Sequence, residues 1–338
     1  MTFNGTTIDM RGLLGTETAG NTTLGAGATS IFRWGTAGFE NHTARLALGT
    51  ITRIAGSALY VNNTSAETIQ SNVSGLNILG GYAVYGGSTW AVANGSGTAI
   101  SGLLGVSYSA DAFGTSLHTD ITTTQSTAET QTGTLRFNTN AGGAIDLTLN
   151  SNLDISSGGI LVTGNVGANT VRILKGGAAT TLGATGSTDV IVHQLNPYGN
   201  LEIDAVIIGG TASHFTKSGN GNVILTGANT YTGTTFILGG VLQIGNGVSG
   251  SILGTSTIDN RGGLVFNTAA STDHTGVISG YGWLEKTGSN LVNLNAANTY
   301  TGRTRLLGGT LQTNNVAGSA VPPTTSRPWP RVPRYPMR

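Results

Sequence analysis

A segment of 30 residues occurs twice in this chain, the two copies aligning without a gap, and this constrains the fold more than anything else in the sequence. Residues 215–244 read FTKSGNGNVILTGANTYTGTTFILGGVLQI and residues 284–313 read LEKTGSNLVNLNAANTYTGRTRLLGGTLQT, so Tyr231 and Tyr300 set the offset at 300 − 231 = 69. Repetition at this scale marks a supersecondary unit that buries its apolar face by stacking on its neighbours. Positions kept in both copies include Lys217/Lys286, Gly219/Gly288, Asn229/Asn298, Tyr231/Tyr300, Gly233/Gly302, Gly240/Gly309 and Leu242/Leu311.

The differences between the copies assign the two sides of each strand. Val223/Val292 and Leu225/Leu294 stay apolar while Ile224 becomes Asn293 between them, so the outer pair faces a core and the middle residue faces water. Phe236 becomes Arg305, and because a buried, unpaired guanidinium costs several kcal/mol, that position also points outward. This period of two predicts strands at about 222–226, 234–238 and 240–244. Gly-Gly at 239–240 and 308–309 suits a turn with positive φ between them. In the Ala-Asn-Thr-Tyr-Thr-Gly block, Asn is the expected turn former, its amide bonding local backbone or stacking on an Asn of the next coil. Tyr231 and Tyr300 are expected as outer packing residues, with ligand stacking as the alternative. Three short strands per unit with Gly or Asn corners suit an all-β, parallel β-helix solenoid. Three coils of about 23 residues per repeat interval, rising about 4.8 Å each, would make it a rod.

Composition removes the competitors. The chain has 54 Gly and only 9% charged residues, yet 38% are hydrophobic, which is too apolar for disorder and too poor in helix formers for a bundle. Arg327, Arg331, Arg334 and Arg338 crowd the end; without them the balance is 12 basic (16 − 4) against 15 acidic residues, so the body has no basic face for nucleic acid. The expected organisation is an N-terminal solenoid part (1–106), a polar loop or irregular coil (107–133), a central solenoid (134–213) and the two repeats (214–315). A Pro/Arg-rich tail (316–338) closes it, read as a disordered linker or as the artefact of a misjoined gene end.

No catalytic constellation stands out. Glu202 and Asp204 lie two apart on one strand face, about 7 Å apart, a separation compatible with an inverting glycosidase pair but also with the solvent side of a strand. His42, His118, His193, His214 and His274 never approach metal-ligand spacing, and there is no Cys. No metal site and no cofactor is expected. Trp34, Trp90 and Trp283, with Tyr82, Tyr85, Tyr231 and Tyr300, would form a sugar-stacking platform only if several lay exposed on one side.

The duplicated segment resembles the autotransporter-associated β-strand repeat, also called the passenger-associated transport repeat. The shared pattern runs from Phe215 to Leu242 through Lys217, Gly219, Asn229, Tyr231, Gly233 and Gly240; the second copy carries Lys286, Gly288, Asn298, Tyr300, Gly302, Gly309 and Leu311, and departs at Asn290 and Ala296, where the family favours Gly. A softer likeness to long bacterial passengers covers much of residues 46–207. The resemblance implies a right-handed β-helix passenger on a Gram-negative surface, non-enzymatic, structural or adhesive, with repeats that assist outer-membrane transport and folding. It implies the chain's own outer-membrane translocator as a partner, and surface glycans or a host or neighbouring cell as a target. The lack of Cys fits passage through a narrow pore. No basic and apolar leader opens the sequence, and the 25 residues after Thr313 (338 − 313) are too few for a barrel of at least about 8 strands, so export signal and translocator are expected outside this stretch. The alternatives are a β-helical polysaccharide-degrading enzyme and a carbohydrate-binding module.

Overall fold

A computed structural model describes residues 1–9, 16–33, 45–63, 69–71, 78–93, 98–177, 180–208, 213–252, 254 and 256–313; the Pro/Arg-rich tail, Trp34 and His42 lie outside these. Among the described residues the chain is all-β, with two 3-10 turns and no α-helix.

The larger body is a parallel β-helix with three faces. Its first face stacks Gly159–Val162, Asp189–Gln194, His214–Ser218, Thr235–Ile237, Ile258–Asn260 and Ile278–Ser279. The second stacks Ile145–Leu149, Val171–Lys175, Asn200–Ile203, Asn222–Leu225, Val241–Ile244, Gly263–Phe266, Trp283–Lys286 and Thr304–Leu306. The third is thinner: Val206–Ile207, a bridge between Ala228 and Ser251, then Thr272–His274, Leu291–Leu294 and Thr310–Thr313.

The alternation read from the sequence sets what points inward. Val223 and Leu225 are fully buried and Ile224 is half-buried on the outside. Each inward residue stacks on its counterpart one coil away, so the interior is a set of aliphatic ladders; Val171, Leu201, Val223, Leu242, Leu264 and Leu284 form one. Burying each such side chain contributes about 1.5–3 kcal/mol, and the ladders are continuous, so stability accumulates coil by coil.

Coil length departs from expectation. The register advances 19–23 residues per coil through the repeats, as in Val223↔Leu242 and Thr235↔Ile258. From His214–Ser218 on the first face to Trp283–Lys286 on the second, the chain crosses ten faces, so the 69-residue interval makes three turns and one further face rather than three coils of 23. Residues 107–133, expected as a loop or irregular coil, also differ: they carry Tyr108–Ala110, Gly114–Ile121, Gln125–Thr127 and the start of Gln131–Phe137. Here polar side chains bond one another where aliphatics would otherwise pack. Asp111, held at φ 53°, accepts from Thr122, Thr123 and Gln125, and Thr119 meets Thr132 at 2.7 Å.

The described residues among the first hundred form a second, smaller solenoid. Its faces are Thr2–Phe3, Asn21–Leu24 and Thr50–Arg53; Thr7–Asp9, Gly27–Arg33, Ser57–Asn63 and Ala83–Tyr85; and Thr16–Thr18, Arg45–Ala47 and Ile69–Ser71. Thr89–Ala93 then runs antiparallel to Ala83–Tyr85, and Thr98–Gly102 antiparallel to both Thr89–Ala93 and Ile69–Ser71, closing that end. This arrangement covers an end for which the sequence displays no cap.

The two solenoids lie antiparallel, side by side. Ala26 O accepts from Arg261 Nη1 at 3.1 Å; Arg53 pairs with Asp189 at 2.6 Å; Gly81 O meets His193 Nε2 at 2.9 Å; Ser88 O accepts from Arg136 at 3.2 Å. From Ala26 to Ser88 on one body the partner strands run back from Arg261 to Arg136 on the other, Asp189 and His193 sharing one strand. The chain is therefore a doubled-back pair rather than a single rod.

Candidate functional site

The repeat signature residues form three stitches between coils. The first is a lysine inside the core. Lys217 is a rung of an aliphatic ladder, between Val192 and Ile237, and is fully buried. Its Nζ donates to Gly219 O at 2.7 Å and to Gly239 O, one coil on, at 2.6 Å. Burial pulls its pKa down to about 7, while the carbonyl oxygens facing it favour the protonated form. Lys286 repeats this between Phe266 and Leu306, donating to Thr287 O, to Gly288 O at 3.0 Å and to Gly308 O at 3.4 Å. Gly240 and Gly309 follow those accepting glycines at φ 59° and 66°; a Cβ on Gly240 would strike the Gly221 carbonyl and the Lys217 amine, so only glycine fits.

The second stitch is Asn229, 2% exposed. Its Oδ1 accepts from Ile207 N of the preceding coil at 2.8 Å, and its Nδ2 donates to Gly227 O and to Ser251 O of the following coil, each at 3.0 Å. The third face has no full strand here, and the amide supplies the bonds a strand would have made. Asn298 does the same on the first face, accepting from Ile278 N at 2.8 Å and donating to Ala296 O at 3.1 Å. The amides bond backbone and do not stack on each other.

The third stitch corrects the expectation for the tyrosines. Tyr231 and Tyr300 lie inside the corner, at 0% and 2% exposure, and are not outer packing residues. Thr235 and Thr304, four residues on, meet each hydroxyl at 2.8 Å, which removes the penalty of burying it. The Tyr231 ring stacks on Phe215 with centroids 5.9 Å apart. Gly233 and Gly302 follow where the backbone of the preceding coil leaves no room for a Cβ. Leu242 is fully buried, and Leu311 packs against the core from the last described coil.

Each stitch sits one face further round in the second copy: the lysine moves from first face to second, Asn-x-Tyr from third to first, the strand after Gly-Gly from second to third. The motif is therefore a local device, indifferent to which face it occupies. Sequence reasoning paired the lysines without placing them. Phe215 and Leu284 stand two residues before them on an alternating strand, and that phase points both lysines inward.

The other candidate residues do not converge. Asp204 pairs with Lys175 at 3.2 Å, Arg172 with Asp146 at 2.6 Å, and Glu202 stands in register with Arg172, so these carboxylates belong to an outward ladder of alternating charge. Among the described residues no three His, Asp or Glu side chains come together as a metal-ligand group. Trp90, Tyr82, Tyr231 and Tyr300 are inside the fold rather than on a shared platform.

A parallel β-helix whose coils are stitched by a duplicated Lys, Asn-x-Tyr and Gly-Gly unit defines the class. Residues 215–244 and 284–313 both match the passenger-associated-transport-repeat family, so the chain carries two repeats of that kind. Over 193 residues, 50% of this chain, it is 33% identical to the adhesin BmaC autotransporter of Brucella suis biovar 1 (strain 1330), of whose length the match covers 6%. No solved structure matches it.

Proposed function

We propose that this chain is a non-enzymatic passenger segment displayed at the bacterial outer membrane through a translocator, offering adhesive or shielding surface to glycans or cells, with repeats that lock each coil onto the last as the chain is exported. The observation that carries this reading is the stitch set: Lys217 and Asn229 each tie backbone of adjacent coils together, and the same set recurs at Lys286 and Asn298 on other faces. Such bonds close as soon as one more coil arrives, which suits a chain that folds from one end. The relative's name supports the surface and adhesive part. The N-terminal solenoid (1–106), closed at one end, is on this reading a distinct unit docked on the repeat-bearing one.

The test is display between an export signal and a translocator barrel in a Gram-negative host. Wild-type chain should reach the surface in protease-resistant form and make cells adhere, whereas the Lys217→Met/Lys286→Met double variant should stall or arrive protease-sensitive. Equal display and resistance in the variant would remove the locking role. Failure of displaying cells to adhere more than barrel-only cells would remove the adhesive one, and turnover of polysaccharide by the purified chain would remove the non-enzymatic one.

A further inference from the structure

A groove of about 330 Å³ runs between the two solenoids. One wall is the outward side of the N-terminal parallel sheet, where Ser30 pairs in register with Tyr60 and Phe32 follows two residues on. The other is a corner of the main solenoid across successive coils, presenting Leu195, Asn220 and Leu238. Lys217 pins that corner from inside, because the carbonyls it holds belong to Gly219 and Gly239 of the groove wall. The wall is thus rigid and formed in advance, as small-molecule sites usually are.

The lining selects the ligand class. It contains no Asp, Glu, Lys or Arg. His193, at its floor, is neutral and committed: Ser218 Oγ lies 2.7 Å from its Nδ1 and Gly81 O 2.9 Å from its Nε2, and burial pulls its pKa down to about 4. A charged ligand would enter without a counter-ion, which is unfavourable. Neither wall offers an unpaired strand edge to an extended peptide, since Gly27–Arg33 and His214–Ser218 are both flanked by parallel neighbours. What remains is an aromatic and aliphatic lining with polar groups at its margin. The Ser30 hydroxyl and Asn220 amide make no hydrogen bond among the described residues. That combination suits a ring with apolar faces and hydroxyl edges. The volume suits one or two such rings.

We propose that the groove binds a neutral mono- or disaccharide, stacked on Tyr60 and hydrogen-bonded by Ser30 and Asn220. This deepens the adhesive reading by naming a ligand class and a place for it. The purified full chain is titrated with lactose, maltose and N,N′-diacetylchitobiose by calorimetry and saturation-transfer NMR. At least one sugar should bind at a Kd on the order of 1 mM or tighter. Tyr60→Ala and Asn220→Ala should each weaken it about tenfold with unchanged circular dichroism, and Tyr281→Ala, an exposed aromatic elsewhere, should leave it unchanged. Leu238→Trp, which fills the groove, gives the same readout should Tyr60→Ala not fold. Binding of none of the three, equal affinity in the groove variants, or tighter binding of sialyllactose than of lactose would overturn the proposal. Adherent displaying cells combined with no sugar binding would sink the groove and leave adhesion standing; the reverse pattern would do the opposite.

Discussion

Replacing Asn229 by Ala removes three hydrogen bonds, but they are not equivalent. Ser251 O still accepts from Asn229 N at 3.1 Å, and Gly227 O still accepts from Ser251 N at 3.1 Å, so each carbonyl loses only its second partner. Ile207 N loses its only partner, in a residue with no solvent exposure. An orphaned buried N–H costs about 1–3 kcal/mol and each lost second bond about 0.5–1, which sums to about 3 kcal/mol. Asn298→Ala orphans Ile278 N in the same way but forfeits one carbonyl contact rather than two, so about 2–2.5 kcal/mol is expected. A solenoid need not unfold in one step, so the direct readout is native-state hydrogen exchange at the Ile207 amide. Its protection should fall by about two orders of magnitude, since about 1.4 kcal/mol corresponds to tenfold. Asn229→Asp should cost at least as much as Ala, because it sets a carboxylate oxygen against two carbonyls. A loss below about 1 kcal/mol at Asn229, or a larger loss at Asn298, would refute the view that the amide replaces a missing strand.

Gly240→Ala should destabilise by about 2 kcal/mol or more, measured by urea denaturation, since the left-handed φ and the collision with the Gly221 carbonyl act together, whereas Gly142→Ala, at φ 70° with open space around it, should cost about 1. Burial pulls His193 and His274 from 6.5 to about 4, so both are neutral in the fold and the unfolded chain takes up their protons first as pH falls. The contribution of the two imidazoles should be flat above about pH 7 and fall between about 6.5 and 4 by about 3 kcal/mol each, while the lowered pKa of Lys217 makes total stability rise with pH above about 7; His274→Leu should remove its share of the acid slope in thermal melts. Asp189→Ala leaves Arg53, Gly56 N and Thr216 without their shared acceptor, so limited proteolysis should cut the N-terminal solenoid faster while leaving 215–313 protected; unchanged cleavage would mean the seam does not depend on that carboxylate.

How legible this was depended on whether two copies existed to compare. Ile224 against Asn293 and Phe236 against Arg305 fixed the inward phase, because substitution tolerance reports solvent directly. Coil length was not legible: an exact interval of 69 suggests a whole number of turns, and nothing local reveals that the copy lands one face on. The 107–133 strands were missed because Thr and Ser satisfy a parallel ladder as well as aliphatics do when they bond one another, as Thr119 and Thr132 do. The seam between solenoids was invisible for a different reason. Its partners, such as Ala26 and Arg261, are single residues with no shared pattern.

The spans of these contacts order the folding steps. Lys217 reaches Gly239 and Asn229 reaches Ser251 across 22 residues, about one coil, and Lys286 reaches Gly308 across the same distance. The seam bonds span 48 residues for Arg136 and Ser88, 112 for His193 and Gly81, 136 for Arg53 and Asp189, and 235 for Arg261 and Ala26. Closing a loop costs entropy that rises with its length, so the stitches should close before the seam. Pulse-labelled hydrogen exchange during refolding should therefore protect the amides of Ile207 and Ile278, each held by a stitch asparagine, before that of Gly56, which is held by Asp189 across the seam. Protection of Gly56 first would mean that the two solenoids collapse onto each other before their coils are stitched, and that the repeats cannot be what drives the chain to fold from one end.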